Sequence, residues 1–382
     1  MPLFSFFNPS IPQEEFFSAA FLTQLASHLG PALPPFFVAA AACAVLTPVS
    51  IFAARRLGVI AHPEPERRIH AQPTPLLGGS ALYVAFAATV LWAVRPDAQV
   101  VGLLAVCGLA TAIFILDDRF RLPALAKIGV EAALSLLAMA AFGFVIGFLT
   151  LPGFGIVQLG LIGLPLTLFW LLGMQNTVNL LDGVDGLAAG VVAIVALVLM
   201  VAAASRGQQS VVLIAAALAG ACGGFLLFNF HPASIFMGDS GSHFLGMALG
   251  LLSILGVAKI AVVFALVVPV VALAVPIADT AIAIIRRRRR GLSIAHADTG
   301  HIHHQLLTFG LTQPQTCLVI YGATGILGAL GLMLFGHRRI LSVAIVVLVV
   351  LISTVAGEQL QRAAWRLPSF GLKRVLADRS VR

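Results

Sequence analysis

The chain has 382 residues, of which 60% are hydrophobic and only 10% are charged, and its mean hydropathy is +1.03. These proportions exclude an ordinary soluble domain and predict an all-α, polytopic membrane protein. The net charge of +8 and the pI near 10.2 do not indicate a nucleic-acid partner, because the basic residues lie in short stretches between apolar runs. Basic residues placed in this way orient helices in the bilayer.

The N-terminus and the cysteines carry little functional signal. The first ten residues contain no lysine or arginine and are followed by Glu14 and Glu15, so we expect no cleaved signal peptide. Residues 1–35 form an N-terminal segment that is either an interfacial helix or a frayed start. The cysteines lie in or beside apolar runs without CxxC spacing, which predicts small core residues rather than disulfides or zinc ligands. They are Cys43, Cys107, Cys222 and Cys317.

Apolar runs of the length needed to cross a bilayer, about 20 residues each, recur along the chain. They predict eleven transmembrane helices in one integral domain that covers residues 1–382. The predicted spans are residues 36–54, 77–94, 100–116, 125–148, 156–174, 187–204, 211–228, 243–255, 260–285, 316–335 and 340–355. Residues 286–315 form a long loop, and residues 356–382 form a basic tail.

Lysine and arginine are divided unequally between the two sides of this arrangement, with 18 on one side and 5 on the other. The positive-inside rule therefore predicts an external N-terminus and a cytoplasmic C-terminus. Five polar stretches fall on the cytoplasmic side: residues 61–79, 117–123, 175–186, 230–241 and 286–313. Their common side predicts a single cytoplasmic active site.

The stretch NTVNLLDGVDGLAAG, residues 176–190, lies between two long apolar runs. Polar side chains at the mouth of membrane helices are costly, so they indicate a site. Asn176, Asn179, Asp182 and Asp185 recur at every third residue, which predicts one polar face if the turn is helical. Gly183 and Gly186 allow a sharp turn and a close approach of a ligand.

Two further acidic motifs end or begin predicted spans. Asp117 and Asp118 are adjacent and point about 100° apart on a helix, which favours divided roles over two equivalent metal ligands. The alternative is a carboxylate pair neutralised by neighbouring arginines. Asp239 lies in the run FMGDSGS at the start of the eighth span, which suits a phosphate and Mg²⁺ site as well as an ordinary helix cap. We expect both, with the cap placing the ligand.

Cations and amides accompany these acids. Lys127 is a candidate counter-charge for a phosphate, and Asn229 is either a ligand-binding residue or an interhelical hydrogen-bonding residue. Arg67 and Arg68 either grip phosphate or belong to a stiff connector. The cluster of His301, His303 and His304 lacks the further ligands of a zinc site, so interaction with a diphosphate is the preferred interpretation. The five consecutive arginines at 286–290 are first of all a topology anchor.

The order of these motifs, DD, NxxNxxDGxDGLA, FMGDSGS and HIHH, resembles that of the polyprenyl-phosphate N-acetylhexosamine-1-phosphate transferases, whose superfamily includes the enzyme that makes lipid I. The resemblance covers residues 62–307. HIHH is similar to the branch that begins O-antigen, common-antigen or teichoic-acid linkage synthesis. Membership would imply a UDP-amino sugar donor, most simply UDP-GlcNAc, an undecaprenyl phosphate acceptor, release of UMP, and Mg²⁺ with Mn²⁺ as a substitute. It would also imply an active site on the cytoplasmic face of the bacterial inner membrane.

Each role that the resemblance implies falls on a matching residue. Asp239 would be the principal Mg²⁺ ligand, and Asp117 and Asp118 would activate or position the lipid phosphate, with Asp117 also a metal ligand. Asp182 would be catalytic and the histidines would line the sugar or diphosphate end. The implied substrate-binding residues are Asn176, Asn179, Asp185, Lys127, Asn229, Arg67 and Arg68.

Several points stay open. The chain departs from the usual pattern at Arg121, Thr299 and Gln305, and the last two concern the choice of sugar. UDP-MurNAc-pentapeptide is an alternative donor, direct attack by the lipid phosphate is preferred over a covalent intermediate, and a homodimer is an open alternative to a monomer. A secondary transporter is the rival class, but its polar residues would cluster at the membrane midplane. A CDP-alcohol phosphotransferase would need an arginine that DGVDGLAAG lacks.

Overall fold

The computed structural model describes residue 27 and residues 29–61, 73–151, 155–204, 206–256 and 311–333. Nine α-helices lie within these ranges, and seven of them are long and apolar enough to cross a membrane. The chain is therefore a multi-pass helical membrane protein. In chain order the helices are α1 Leu33–Leu57, α2 Gly78–Ala93, α3 Ala98–Phe120, α4 Ala124–Phe142, α5 Gly163–Leu181, α6 Leu187–Ala204, α7 Gln209–Asn229, α8 Gly238–Leu255 and α9 Gln313–Met333.

Each predicted span that falls on described residues coincides with one of these helices, but the fourth and fifth spans are shifted. The prediction of 125–148 was too long, because α4 ends where Gly143 takes a left-handed φ of 71°. Strands β3 Phe148–Leu151 and β4 Gly155–Gln158 then form an antiparallel hairpin. Helix α5 begins only at Gly163, well after the predicted start at residue 156.

A second, shorter hairpin pairs β1 Ile60–Ala61 with β2 Thr74–Pro75. The two hairpins correct the all-α prediction in detail. Apolar strands and apolar helices have similar hydropathy, so the hydropathy of β3 and β4 could not distinguish the hairpin from a membrane span. The predicted spans 260–285 and 340–355, the loop 286–315 and the tail 356–382 lie outside the described residues, apart from the few loop residues that lead into and begin α9.

Helix α8 is the centre of the bundle. Of its 18 residues 15 are buried, and it packs against α2, α3 and α5. A helix buried on every side belongs to the core, not to the lipid-facing layer. Polar groups on the first turn of α8 therefore lie inside the bundle, at one of its ends.

The start of α8 is tied to the start of α2 by main-chain hydrogen bonds. The amide groups of Gly78 and Gly79 donate to the carbonyls of Phe236 and Met237 at 3.1 and 2.9 Å, and the Phe236 amide donates to the Pro75 carbonyl at 2.9 Å. The segment before α2 thus lies directly beside the segment before α8. These hydrogen bonds bring together two of the predicted polar stretches, residues 61–79 and residues 230–241.

Helices α1 and α7 pack closely because α7 has glycines at the contact. A Cβ atom at Gly220 would lie 2.1 Å from the Phe36 carbonyl oxygen, and one at Gly224 would lie 2.1 Å from the Ala40 carbonyl oxygen. Small residues spaced four apart allow this approach in membrane helices. The four cysteines are free and buried, which confirms their prediction as core residues.

We predict that Gly224→Ala lowers the free energy of unfolding by about 1–3 kcal/mol, because the added methyl group forces α1 and α7 apart. Gly223→Ala is the matched control, since a Cβ atom there meets nothing within 4 Å. Denaturant unfolding of the detergent-purified variants measures the difference. Equal stability of the two variants would contradict the close packing.

Candidate active site

The first turn of α8 is capped by a carboxylate from another helix. Asp118, near the end of α3, accepts hydrogen bonds from the backbone amides of Asp239 at 2.7 Å and Ser240 at 3.2 Å. These amides have no acceptor within their own helix, and a carboxylate also suits the positive end of the helix dipole. The predicted cap by Asp239 and its serines is therefore corrected, because Asp118 supplies the cap.

Gly238 makes this cap sterically feasible. Its φ is 71°, and a Cβ atom at this position would lie 2.6 Å from both Asp118 Oδ2 and the Leu76 carbonyl oxygen. A side chain would therefore clash with the capping carboxylate and strain the backbone at once. The glycine before Asp239 is a requirement of the capping geometry.

Asp117 faces away from Asp118 and contacts the start of α4. Its Oδ1 accepts a hydrogen bond from the Leu122 amide at 2.6 Å, and its Oδ2 lies 2.6 Å from Lys127 Nζ. Lys127 Nζ also donates to Asp239 Oδ2. The prediction of divided roles is confirmed in geometry, because one carboxylate caps a helix and its neighbour forms an ion pair.

Asp239 is held on its other side by α5. Asn179 Nδ2 donates to Asp239 Oδ1 at 2.9 Å and lies 3.0 Å from Ser242 Oγ. The carboxylate of Asp239 is thus fixed between an ammonium and a carboxamide. Three helices, α4, α5 and α8, determine its orientation.

The loop between α5 and α6 is fixed by hydrogen bonds of the Asp185 and Asn229 side chains. Asp185, buried with 5% exposure, accepts hydrogen bonds from His231 Nδ1 at 2.9 Å and from the Ala233 amide at 3.1 Å. Asn229 accepts from the Gly186 amide at 3.2 Å and donates to the Ile235 carbonyl at 2.9 Å. Asn229 therefore joins two loops, which agrees with the hydrogen-bonding alternative for this residue.

A cavity of about 400 Å³ lies among these groups at one end of the bundle. Five carboxylates, two cations, an amide and several apolar residues line it. Burial raises the pKa of Asp182 well above the usual aspartate value, and the carboxylates of Asp239, Asp118 and Asp185 raise it further. The lining residues are Leu76, Asp117, Asp118, Arg121, Lys127, Asp182, Gly183, Val184, Asp185, Asn229, Phe236, Gly238 and Asp239.

The predicted common face of four polar residues at 176–185 is wrong. Asn176 is exposed, and its Nδ2 donates to Glu131 Oε2 at 2.5 Å and to the Leu172 carbonyl at 2.9 Å, outside the cavity. A spacing of three residues drifts about 60° per step around a helix. Helix α5 also ends at Leu181, so Asp182 and Asp185 belong to a turn. Asn176 is not among the residues that line the cavity, and its substrate-binding role stays a prediction.

Two residues next to the site were absent from the sequence prediction. Glu131 and His243 are each 1% exposed, and His243 Nε2 lies 3.0 Å from Glu131 Oε1. His243 Nδ1 lies 2.8 Å from the Asp239 carbonyl oxygen. Both residues fall inside predicted spans, where an ionisable side chain is itself a signal of function. Arg67, Arg68, His301, His303 and His304 lie outside the described residues.

The geometry of Asp117 and Asp239 suits a divalent cation. Both carboxylates contact one ammonium group, so they converge on a single position of positive charge. Among the residues that the structure describes, no three histidine, cysteine or acidic side chains form a complete metal cage. Mg²⁺ takes few protein carboxylates and completes its coordination with water and phosphate, so the two acids fit it.

Comparison with known proteins assigns the class. Residues 100–257 match the protein family described as "Glycosyl transferase family 4". The matched residues include most of α3, all of α4 to α8, and every residue that lines the cavity except Leu76. The "probable undecaprenyl-phosphate N-acetylglucosaminyl 1-phosphate transferase" of Bacillus subtilis is 35% identical over 288 residues, covering 75% of this chain and 80% of the relative. The site and these similarities define a membrane sugar-phosphate transferase.

Two other relatives extend the comparison. The decaprenyl-phosphate N-acetylglucosaminephosphotransferase of Mycolicibacterium smegmatis is 37% identical over 330 residues, covering 77% of this chain and 81% of the relative. The phospho-N-acetylmuramoyl-pentapeptide-transferase of Clostridioides difficile is 35% identical over 205 residues, covering 50% and 63%. The chain belongs to glycosyl transferase family 4, as its motifs predicted.

We predict that Asp118→Asn is less stable than Asp117→Asn by about 1 kcal/mol, because a carboxamide can serve only one of the two amides of α8 and carries no charge toward the helix dipole. The carboxamide oxygen in Asp117→Asn would still accept from the Leu122 amide. Denaturant unfolding in EDTA measures the difference. A less stable Asp117→Asn variant would contradict the capping role of Asp118.

A pH-dependent prediction follows from the raised pKa of Asp182. The folded state keeps a proton on this carboxyl group at a pH where the unfolded chain has released it, so the stability of the wild type falls as the pH rises above about 4. Asp182→Asn removes this loss. In EDTA, its gain in melting temperature over the wild type should be larger at pH 7 than at pH 4, and an equal gain would contradict the shift.

Proposed function

We propose that the protein transfers N-acetylglucosamine 1-phosphate from UDP-GlcNAc to undecaprenyl phosphate and releases UMP. The observation that carries the proposal is the convergence of Asp117, Asp239 and Lys127 in a cavity at one end of a membrane bundle. The activities named for the Bacillus and Mycolicibacterium relatives support both the sugar and the polyprenyl phosphate. The muramoyl-pentapeptide relative matches a smaller part of both chains, which makes that donor the alternative.

Asp239 and Asp117 would hold Mg²⁺, or Mn²⁺ in its place. The bound ion would neutralise charge on the donor diphosphate, as metal ions do in phosphoryl transfer. Asn179 keeps the Asp239 carboxylate oriented, and Asp118 fixes the turn that carries it. Lys127 would turn from the carboxylates toward a substrate phosphate, since a metal ion and an ammonium repel each other at the same oxygens.

The reaction needs positioning more than proton transfer. A phosphate monoester has a second pKa of about 6, so the lipid phosphate is already a mostly dianionic nucleophile at neutral pH. Its oxygen would form a bond to the phosphorus that bears the sugar, and the bond from that phosphorus to the UMP oxygen would break. Asp117 and Asp118 are therefore assigned to charge and geometry rather than to general base catalysis, which favours direct attack.

The lipid acceptor has an apolar approach to the cavity. Phe120 and Leu125 are 72% and 84% exposed, and they flank the connection that carries Arg121 and leads to Lys127. Large exposed apolar side chains in a membrane protein face lipid tails. A polyprenyl chain lying against them would present its phosphate to Lys127.

The histidines and arginines of the long loops are assigned to the donor. Gln313, the first residue of α9, follows His304 by nine residues, a stretch that extends at most about 30 Å. The first turns of α9 contact the α5–α6 loop, with Cys317 Sγ 3.3 Å from the Asp185 carbonyl and Tyr321 OH donating to the Gly186 carbonyl at 2.6 Å. Because His301, His303 and His304 precede α9 in the chain and Arg67 and Arg68 precede α2, we expect these residues to contact the donor.

The sidedness of the protein is part of this proposal. The distribution of lysine and arginine supports a cytoplasmic cavity, an external N-terminus and a location in the bacterial inner membrane. A cytoplasmic cavity would also give access to a nucleotide-sugar donor. Eleven spans remain the proposed total.

We predict UMP release by the detergent-purified protein when UDP-GlcNAc, undecaprenyl phosphate and Mg²⁺ are all present. Asp239→Asn should lower the rate by about 100-fold or more, as expected when a charge-stabilising group is removed from the transition state. Asp97→Asn is the matched control, because Asp97 caps α3 by accepting from the Val100 amide at 2.8 Å and is not among the residues that line the cavity.

Each other outcome has a definite meaning. Activity with a different UDP-amino sugar would keep the reaction class and change the donor. Release of UMP without the lipid acceptor would overturn the proposed acceptor. Inactivity with every UDP-sugar in folded protein would overturn the transferase proposal as a whole.

A further inference from the structure

Helices α4 and α8 are joined by two polar pairs of opposite polarity. The outer pair is Lys127 of α4 with Asp239 of α8, and the inner pair is Glu131 of α4 with His243 of α8. Lys127 and Glu131 are one helical turn apart, as are Asp239 and His243, so each helix presents two stacked groups on one face. If one helix were shifted by one turn along the other, both pairs would be broken. The two pairs therefore specify the register of α4 against α8.

The inner pair is part of a continuous chain of hydrogen bonds. His243 lies between two acceptors, the Asp239 carbonyl at 2.8 Å and Glu131 Oε1 at 3.0 Å. Asn176 donates to the second oxygen of Glu131 at 2.5 Å, which gives this buried acid a partner at each oxygen.

The plane of the imidazole is fixed as well. The ring of Phe114, on α3, stacks on His243 with a centroid distance of 3.7 Å and an interplanar angle of 14°. Phe114 is fully buried. Helices α3 and α4 contact His243 directly, and α5 contacts its partner Glu131 through Asn176. His243 lies one helical turn from Asp239, the carboxylate proposed to bind the metal ion.

We propose that Glu131 and His243 are positioning residues for Asp239. This inference rests on the proposed function, in which Lys127 leaves Asp239 and the outer pair separates. The inner pair then keeps α4 and the first turn of α8 together, because its hydrogen bonds do not involve the Asp239 carboxylate. In this proposal Asn176, which donates to Glu131, has a structural role in place of the substrate contact predicted from the sequence.

The test is the affinity for Mn²⁺, measured by electron paramagnetic resonance on the full-length detergent-purified chain without substrates. Glu131→Ala should weaken Mn²⁺ binding by about tenfold, the effect expected for a group that orients a metal ligand. Glu131→Gln should bind nearly as well as the wild type, because its amide can donate to His243 and its oxygen can accept from Asn176. Steady-state kinetics should show a lower kcat for Glu131→Ala with the KM for UDP-GlcNAc within about twofold, because Glu131 is not among the residues that line the cavity.

Ser135→Ala is the matched control. Ser135 lies one turn beyond Glu131 on α4, is fully buried, and donates to the Glu131 carbonyl at 2.7 Å. Its replacement should leave Mn²⁺ affinity unchanged. If Glu131→Ala does not fold, the double variant Glu131→Leu/His243→Leu replaces the buried pair with apolar side chains, a change that proteins often tolerate, and it should fold and bind Mn²⁺ weakly.

The possible outcomes test the positioning role and the proposed metal site separately. Wild-type Mn²⁺ affinity in Glu131→Ala, or in the double variant, would overturn the positioning role. A loss in Glu131→Gln as large as that in Glu131→Ala would also overturn it, because charge rather than hydrogen bonding would then be the cause. If the wild type itself bound no Mn²⁺, or if Asp239→Asn bound it equally well, the proposed metal site would fail first.

Discussion

The buried N-terminus of α8 is the constraint on which the site depends. Its first amide groups have no helical acceptor and lie in the interior of the bundle end, where leaving them unpaired would cost about 1–3 kcal/mol each. Asp118 satisfies two of them from α3, and Gly238 leaves room for its carboxylate. The same turn presents Asp239 to α4 and α5. One helix end thus fixes the relative positions of the capping acid and the proposed metal ligand.

Charge compensation explains why so many acids can share this place. Five carboxylates line the cavity, yet four of them have partners of three kinds: backbone amides for Asp118, one shared ammonium for Asp117 and Asp239, and an imidazole with a backbone amide for Asp185. Asp182 is the exception, since burial and its acidic neighbours raise its pKa. Partners drawn from different helices make the arrangement rigid, which suits a reaction whose barrier is lowered chiefly by positioning.

The sequence predicted the parts of this site that stand out against apolar surroundings. Asp117, Asp118, Lys127, Asp185 and Asp239 lie at the ends of hydrophobic runs, so both their location and their common side followed from hydropathy and the alternation of the spans. The detailed partners did not follow, because they depend on where each helix ends. Asn176 was misplaced because a spacing of three residues turns it away from Asn179 by about 60° on α5, and Asp182 and Asp185 follow the end of that helix at Leu181. Glu131 and His243 were missed because they lie within runs that are apolar on average, and the β3–β4 hairpin was missed because strands and helices of equal hydropathy look alike.

The helix ends that form the described cavity do not explain which UDP-sugar the protein selects. The described lining of the cavity consists of acids, cations and apolar groups whose polar atoms are mostly engaged with each other or with backbone. Such a surface suits a metal-bound diphosphate, which is common to every UDP-sugar, and offers little to distinguish one sugar from another. Residues 62–72 and 286–310, which the sequence predicts to be loops, precede α2 and α9 in the chain; the start of α2 is hydrogen-bonded to the start of α8, and Tyr321 of α9 donates to the Gly186 carbonyl. We therefore expect the choice of sugar to reside in these loops, where it can change without disturbing the hydrogen bonds that hold Asp239.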